Sequence, residues 1–118
     1  MLKIRNTLLN LKKSNEMYVK LNRPEGTLIL RLRWMYNVPE KKKTKETICI
    51  IEQQHAPNVY EIIATGTTRV RHGDVFIKKV GRIHALTNLF NNNEGLFSKQ
   101  ERTAIWNAYA EMVHYQFK

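Results

Sequence analysis

The chain has little cysteine and no long apolar run. Its one cysteine, Cys49, cannot form an internal disulfide bond, so the fold does not depend on an oxidising compartment. No apolar stretch approaches the ~20 residues that a membrane-spanning helix needs. The N-terminal residues Met1–Arg5 mix charged and apolar side chains and lack the apolar core of a signal peptide. We therefore expect a cytoplasmic protein without a membrane partner.

Motifs of the common enzyme classes are also missing. The ten acidic residues form no cluster in sequence that would hold two metal ions, and the four histidines have no metal-ligand spacing. The chain contains no Walker loop, dinucleotide fingerprint or nucleophile elbow. His72 and Asp74 precede Lys78 in a turn-like stretch, an arrangement that would suit acid–base chemistry on a phosphodiester, although a turn residue is the simpler interpretation. We predict no enzymatic activity, no metal and no cofactor.

The charge that is present lies in one part of the chain. The 118 residues fit one domain, and 42% of them are hydrophobic, enough to build a core. The formal charge is +10. Residues 1–82 hold 17 basic and 7 acidic side chains, whereas residues 83–118 hold three of each. Such segregation favours binding of a polyanion, and the alternative is that the charge only maintains solubility.

Alternation of apolar and polar residues predicts a sheet in the first part of the chain. Residues 27–36 alternate strictly, which places Trp34 on an apolar core face and both Arg31 and Arg33 on an open face. Gly66 indicates a bulge or bend. Strand patterns separated by turn signals cover residues 17–21, 27–36, 46–52, 59–65 and 67–71. We predict an antiparallel sheet of three to five strands.

The pattern becomes helical after residue 74. Asp74 is a possible N-cap for a first helix that ends near residues 91–95. Its apolar stripe would consist of Phe76, Val80, Ile83, Leu86 and Phe90, with Gly81 as a weak point. Ser98 and Glu101 fit a capping box that begins a second helix. The stripe of this second helix would consist of Ile105, Trp106, Tyr109, Met112 and Val113. The prediction is therefore an α+β domain over residues 1–118, with two amphipathic helices after the sheet.

Basic side chains on the open face, in a lysine-rich loop and at the first helix are the candidate binding residues. Lys78 and Arg82 share a helix face, and a helix start attracts phosphate, although a solvated helix face would show the same spacing. No tyrosine stands out as a base-stacking residue among Tyr18, Tyr60 and Tyr115. The residues predicted to contact phosphate are Arg31, Arg33, Lys41, Lys42, Lys43, Arg69, Arg71, Lys78, Lys79 and Arg82.

Two motifs in roughly the last 45 residues resemble a recurrent type of short bacteriophage protein. In these proteins a D-x-F-x-(K/R)-x-x-G-R-x-x-A-L helix precedes a helix that ends in I-W-x-A-Y. The corresponding runs here are GDVFIKKVGRIHAL, from Gly73 to Leu86, and FSKQERTAIWNAY, from Phe97 to Tyr109. The resemblance implies a phage origin and the cytoplasm of a host cell.

Together these features predict a protein that binds nucleic acid or a nucleic-acid-containing host complex. Given the resemblance, a host-directed inhibitor such as an anti-CRISPR protein is the form we expect. A direct binder of phage DNA or RNA is the alternative, and a small nuclease is a weaker one. A third option is homodimerisation through residues 83–118, which an exposed Trp106 or Tyr109 would favour.

Overall fold

The computed structural model of the chain describes residues 16–37, 45–70 and 77–116, with side chains up to residue 113. These residues form four strands and then two helices. The elements are β1 (Glu16–Arg23), β2 (Gly26–Asn37), β3 (Glu46–Ala56), β4 (Val59–Arg69), α1 (Lys78–Asn92) and α2 (Lys99–Gln116). The strands pair antiparallel in the order β1-β2-β3-β4. The predicted α+β arrangement is confirmed.

The helices pack on one face of the sheet and form the core with it. The face of β2 that carries Leu30, Leu32 and Trp34 is buried, as the alternation predicts. Helix α1 packs on β3 and β4, and α2 packs on β1. Cys49 of β3 is fully buried in this core, and its burial raises the pKa of the thiol to about 12. The opposite face, which we call the open face, carries Arg31 and Arg33.

Gly66 does not mark a bulge. It pairs regularly with Cys49, and β4 runs without a break to Arg69. The register shifts instead between Ile51 and Glu52 and between Gln54 and Ala56, further along the hairpin. A Cβ atom at Gly66 would collide with the backbone of α1 at Ala85 and Leu89. Glycine is therefore required here because the helix lies directly on the strand.

Helix α1 begins later than predicted, and its buried face agrees with the predicted stripe only in part. Its N-cap is Ile77, which makes no side-chain cap, whereas Asp74 lies outside the described residues. Val80 is 43% exposed, so this member of the predicted stripe is not in the core. Phe76 lies outside the described residues as well. Leu86 and Phe90 of the predicted stripe are confirmed as buried, and Ile83 packs against the core cluster. The buried face of α1 consists of Gly81, Arg82, Ala85, Leu86, Leu89 and Phe90.

The capping box at the start of α2 is confirmed. The Ser98 hydroxyl accepts a bond from the Glu101 N–H at 3.1 Å, and the Glu101 carboxylate accepts one from the Ser98 N–H at 3.0 Å. Glu101 also binds Arg23 at 2.7 Å, which ties the end of β1 to the start of α2. The bond from Arg23 holds the pKa of Glu101 below its ordinary value, although burial of the carboxyl group acts in the opposite direction.

The predicted apolar stripe of α2 faces the core. Ile105 is fully buried, and the other members of the stripe pack against the core cluster. The rings of Trp106 and Tyr109 meet edge to face, with centroids 6.0 Å apart. Tyr109 is only 5% exposed and its ring also contacts Trp34. Tyr109 is therefore not the exposed aromatic residue that would favour a dimer through the helices.

Candidate nucleic-acid interface

Arg31 and Arg33 lie side by side on the open face and share one carboxylate. The Nε atoms of Arg31 and Arg33 are 2.9 Å and 2.8 Å from Oε1 of Glu52. Glu52 lies on β3 directly opposite Arg31, and its side chain is 7% exposed. Two guanidinium groups against one carboxylate leave a net positive charge at this position of the sheet.

The shared carboxylate is stabilised in its charged form. Burial opposes ionisation of Glu52, but the bonds from Arg31 and Arg33 outweigh it and lower the pKa of this carboxyl group. The bond to Glu52 likewise raises the pKa of Arg31. Because both arginines are held by Glu52, they lose little further side-chain entropy when they bind a ligand.

Two tyrosines of the open face accompany the arginines. The Arg31 guanidinium carbon lies 3.6 Å from the ring centroid of Tyr60, which is a close cation–π contact. Tyr18 pairs with Arg31 across β1 and β2 and is 51% exposed. The pKa of Tyr18 is raised, mainly because part of its side chain is buried and to a smaller extent because its hydroxyl interacts with Tyr60. Sequence analysis did not select either tyrosine, because only the strand register places them beside Arg31.

Arg69 lies at one end of the sheet. Its Nε is 2.7 Å from Oε2 of Glu46, the residue that pairs with it across β3 and β4, and its side chain is 67% exposed. The Val70 N–H donates to the carbonyl of Lys45 at 3.0 Å at the same end. Arg69 therefore combines one ion pair with a largely solvent-accessible side chain.

Lys78 and Lys79 lie at the start of α1, beside the same end of the sheet. Both are exposed, and Lys78 Nζ lies 5.0 Å from the ring centroid of Tyr36, near the end of β2. The first turn of α1 contains no acidic residue, and its N-cap provides no side-chain bond. The backbone N–H groups of a helix start carry partial positive charge, which adds to that of the two lysines.

Arg82 differs from the other candidates because it is buried. It is 7% exposed, and its Nη1 donates to the Tyr36 hydroxyl at 3.1 Å. Its backbone carbonyl accepts a bond from the Trp34 indole at 3.2 Å. Burial opposes its charge, but the hydroxyls of Tyr109 and Tyr36 raise its pKa. The structure thus gives Arg82 a packing role and does not place its guanidinium on the exposed face with Lys78 and Lys79.

Several residues of the two phage-like motifs make packing contacts in the core. Gly81 lies so close to β3 that a Cβ atom there would collide with Thr47. Arg82 joins α1 to β2 through Tyr36, and the ring of Tyr109 packs against that of Trp34 in a tilted arrangement, with centroids 5.5 Å apart. The weak point predicted at Gly81 is therefore a close contact between helix and sheet.

We call Arg69, Lys78 and Lys79 the basic end. Helix α1 contacts the sheet at this end: the Lys78 ammonium lies over the ring of Tyr36, and Thr47 lies against Gly81. The predicted phosphate contacts Lys41, Lys42, Lys43 and Arg71 lie outside the described residues. Of the ten predicted residues, the structure brings three to the basic end, places two on the open face and buries one.

The described residues contain no group of three or more His, Cys, Asp or Glu side chains that could hold a metal ion. Among the described histidines, His55 lies 2.8 Å from Glu61 in an exposed pair on the β3–β4 hairpin. His72 and Asp74 lie outside the described residues. The described helices are not long and apolar enough to cross a membrane.

Comparison of the chain with protein-family models, with curated proteins and with solved structures found no match.

Proposed function

We propose that this protein binds nucleic acid, either free or within a host nucleoprotein complex, through the basic end. The observation that carries the proposal is the exposed pair Lys78 and Lys79 at a helix start without an acidic residue in its first turn. Arg69 adds a third cation at the same end of the sheet. Cations of this kind bind phosphate groups irrespective of sequence, and release of counterions drives the association.

The first experiment is retardation of labelled single- and double-stranded DNA and RNA over a series of salt concentrations. We expect a shift that weakens steeply as salt increases, with the probe intact. Cleavage of the probe would instead identify a nuclease. In parallel, the tagged protein is used to capture nucleic-acid-containing complexes from host lysate.

Lys79→Glu tests the basic end, with Lys99→Glu as the control. Both lysines are exposed, lie in the first turn of a helix, and change the net charge by the same amount. We expect Lys79→Glu to weaken binding about tenfold and to reduce the slope of log affinity against log salt by about one. Lys99→Glu should have a much smaller effect. Equal losses for the two variants would contradict the proposal, as would an absence of both probe binding and nucleoprotein capture.

The resemblance to short phage proteins supports a host-directed role, for which an anti-CRISPR inhibitor is the specific form that we propose. Such a protein would bind a nucleic-acid-containing defence complex more tightly than naked probe. Capture of that complex by the wild-type protein, but not by Lys79→Glu, would support this form. Equal affinity for the complex and for its isolated nucleic acid would favour a direct binder of phage DNA or RNA.

A further inference from the structure

The open face has no described element packed on it, and it exposes large apolar side chains. Tyr18 is 51%, Met35 is 48% and Ile62 is 56% exposed. These residues come from three different strands, and both helices lie on the other face. An exposed surface of this kind, next to charged side chains, is typical of a binding surface.

One cross-strand row of the open face combines rings, apolar groups and positive charge. Tyr18, Arg31, Glu52 and Ile62 are consecutive partners across β1, β2, β3 and β4. The Arg31 guanidinium lies over the ring of Tyr60, and Glu52 binds both Arg31 and Arg33. Aromatic rings and guanidinium planes are the side chains on which unpaired bases stack.

The open face extends to Arg69 of the basic end, whereas Lys78 and Lys79 lie at the same end of the sheet on α1, which packs on the other face. Arg69 and its partner Glu46 occupy the last row of the sheet, next to α1. Glu46 and Glu52 are six positions apart on β3, which is a distance of about 20 Å along an extended strand. A chain of several nucleotides can therefore contact the row of Tyr18 and Arg69 at the same time, and reach Lys78 and Lys79 around the end of the sheet.

We infer that a single-stranded nucleic acid lies along the open face, with bases on Tyr18 and on the Arg31–Tyr60 stack and with phosphates at the basic end. This inference rests on the proposed function and specifies the form of nucleic acid. A duplex fits less well, because its base faces are stacked inside and only its backbone and grooves are accessible. A second copy of the chain also fits less well, because a two-fold contact would place the unbalanced charge of Arg31 and Arg33 against itself.

The test measures the anisotropy of a labelled 15-nucleotide oligo(dT) and of its duplex with oligo(dA). We expect the wild-type protein to prefer the single strand. Tyr18→Ala should weaken single-strand binding about tenfold, since one base loses its stacking partner, and should leave duplex binding unchanged. Tyr18→Phe keeps the ring and should retain affinity within about twofold. Val59→Ala is the matched control, because Val59 is also 51% exposed but lies at the β3–β4 turn.

Salt dependence separates this inference from the proposed function. Tyr18→Ala removes no charge, so it should lower the affinity at every salt concentration without changing the slope, whereas Lys79→Glu should change the slope. Normal Tyr18→Ala binding together with weak Lys79→Glu binding would overturn the open-face inference and leave the proposed function intact. Absence of binding to either probe and to nucleoprotein would overturn both.

Sedimentation of the free protein tests whether a second copy of the chain binds the open face. A wild-type dimer that Tyr18→Ala converts to a monomer would show that the open face binds a second copy, and the inference would then be wrong. We expect the same monomeric sedimentation for both proteins at the concentrations used for binding.

Discussion

Glu52 shows how a single acidic residue organises the basic side chains around it. Its carboxylate receives bonds from Arg31 and Arg33, and without it two guanidinium groups would lie next to each other on the sheet. Its nearly buried position means that water screens these interactions only weakly. The orientation of both arginines therefore depends on one residue of the neighbouring strand.

We predict that Glu52→Gln lowers the free energy of unfolding by about 2 kcal/mol at pH 7, because the bonds between charged groups are lost. The folded-state pKa of Glu52 lies below its ordinary value, so its contribution is present above the unfolded pKa and is lost as pH falls through the folded pKa. The difference between the two proteins should therefore shrink in acid. Urea unfolding of the wild-type and Glu52→Gln proteins at pH 7 and pH 3 measures this difference in the free energy of unfolding.

Glu61→Gln is the control for this prediction. Glu61 lies 2.8 Å from the His55 ring, but its side chain is 64% exposed, so the change should cost less than about 0.5 kcal/mol. A Glu52→Gln protein as stable as this control at pH 7 would show that the shared carboxylate does not hold the arginines.

At the scale of elements, the contact between α1 and the sheet depends on two glycines. Gly66 on β4 and Gly81 on α1 allow the helix backbone to lie against β4 and Thr47 to lie against the helix. The periodicity of the sequence does not show this, because a glycine in a strand or helix pattern looks like an interruption. Only the position of the opposing element explains each glycine.

We predict that Gly66→Ala lowers the free energy of unfolding by about 3 kcal/mol, since the added methyl group meets helix backbone that cannot move locally. Gly95→Ala is the control. A methyl group there meets nothing within 4 Å, so it should cost only the ~1–2 kcal/mol of its positive φ angle. Chemical denaturation of both variants measures the difference. Tolerance of Gly66→Ala at the level of the control would mean that α1 does not lie so close to β4.

The strands and α2 were predictable to a useful degree, whereas the buried face of α1 was predicted only in part. Strict alternation identified β2, and the Ser98–Glu101 pattern identified the start of α2, because both features depend on neighbours in sequence. Arg82 was expected on the surface. Its guanidinium binds the hydroxyl of Tyr36, which lies on β2 and cannot be recognised as a partner from spacing.

At the scale of the molecule, the net charge of +10 acts on stability as well as on binding. Like charges that cluster repel one another in the folded state, and the repulsion weakens as salt shortens the Debye length. Lys79 lies near Lys78 at the basic end, whereas Lys99 lies in the neutral part of the chain. The two positions therefore separate the effect of clustered charge from that of total charge.

We predict that Lys79→Glu raises the thermal midpoint more than Lys99→Glu does at about 10 mM salt. Each variant has a net charge of +8, so total charge does not distinguish them. The difference should disappear near 1 M salt, where the Debye length is about 3 Å. Equal midpoints at low salt would show that the positive charges are not concentrated at the basic end.

An antiparallel sheet followed by two helices, the open and core faces of β2, and the concentration of positive charge before residue 83 could all be read from the sequence alone. Each of these follows from local periodicity, capping chemistry or composition. The tertiary structure decided which basic residues reach solvent together, that Glu52 holds Arg31 and Arg33, and that Tyr18 and Tyr60 accompany them. These arrangements depend on strand register and on contacts between distant residues, where a change of one residue in the pairing would move every side chain to the other face.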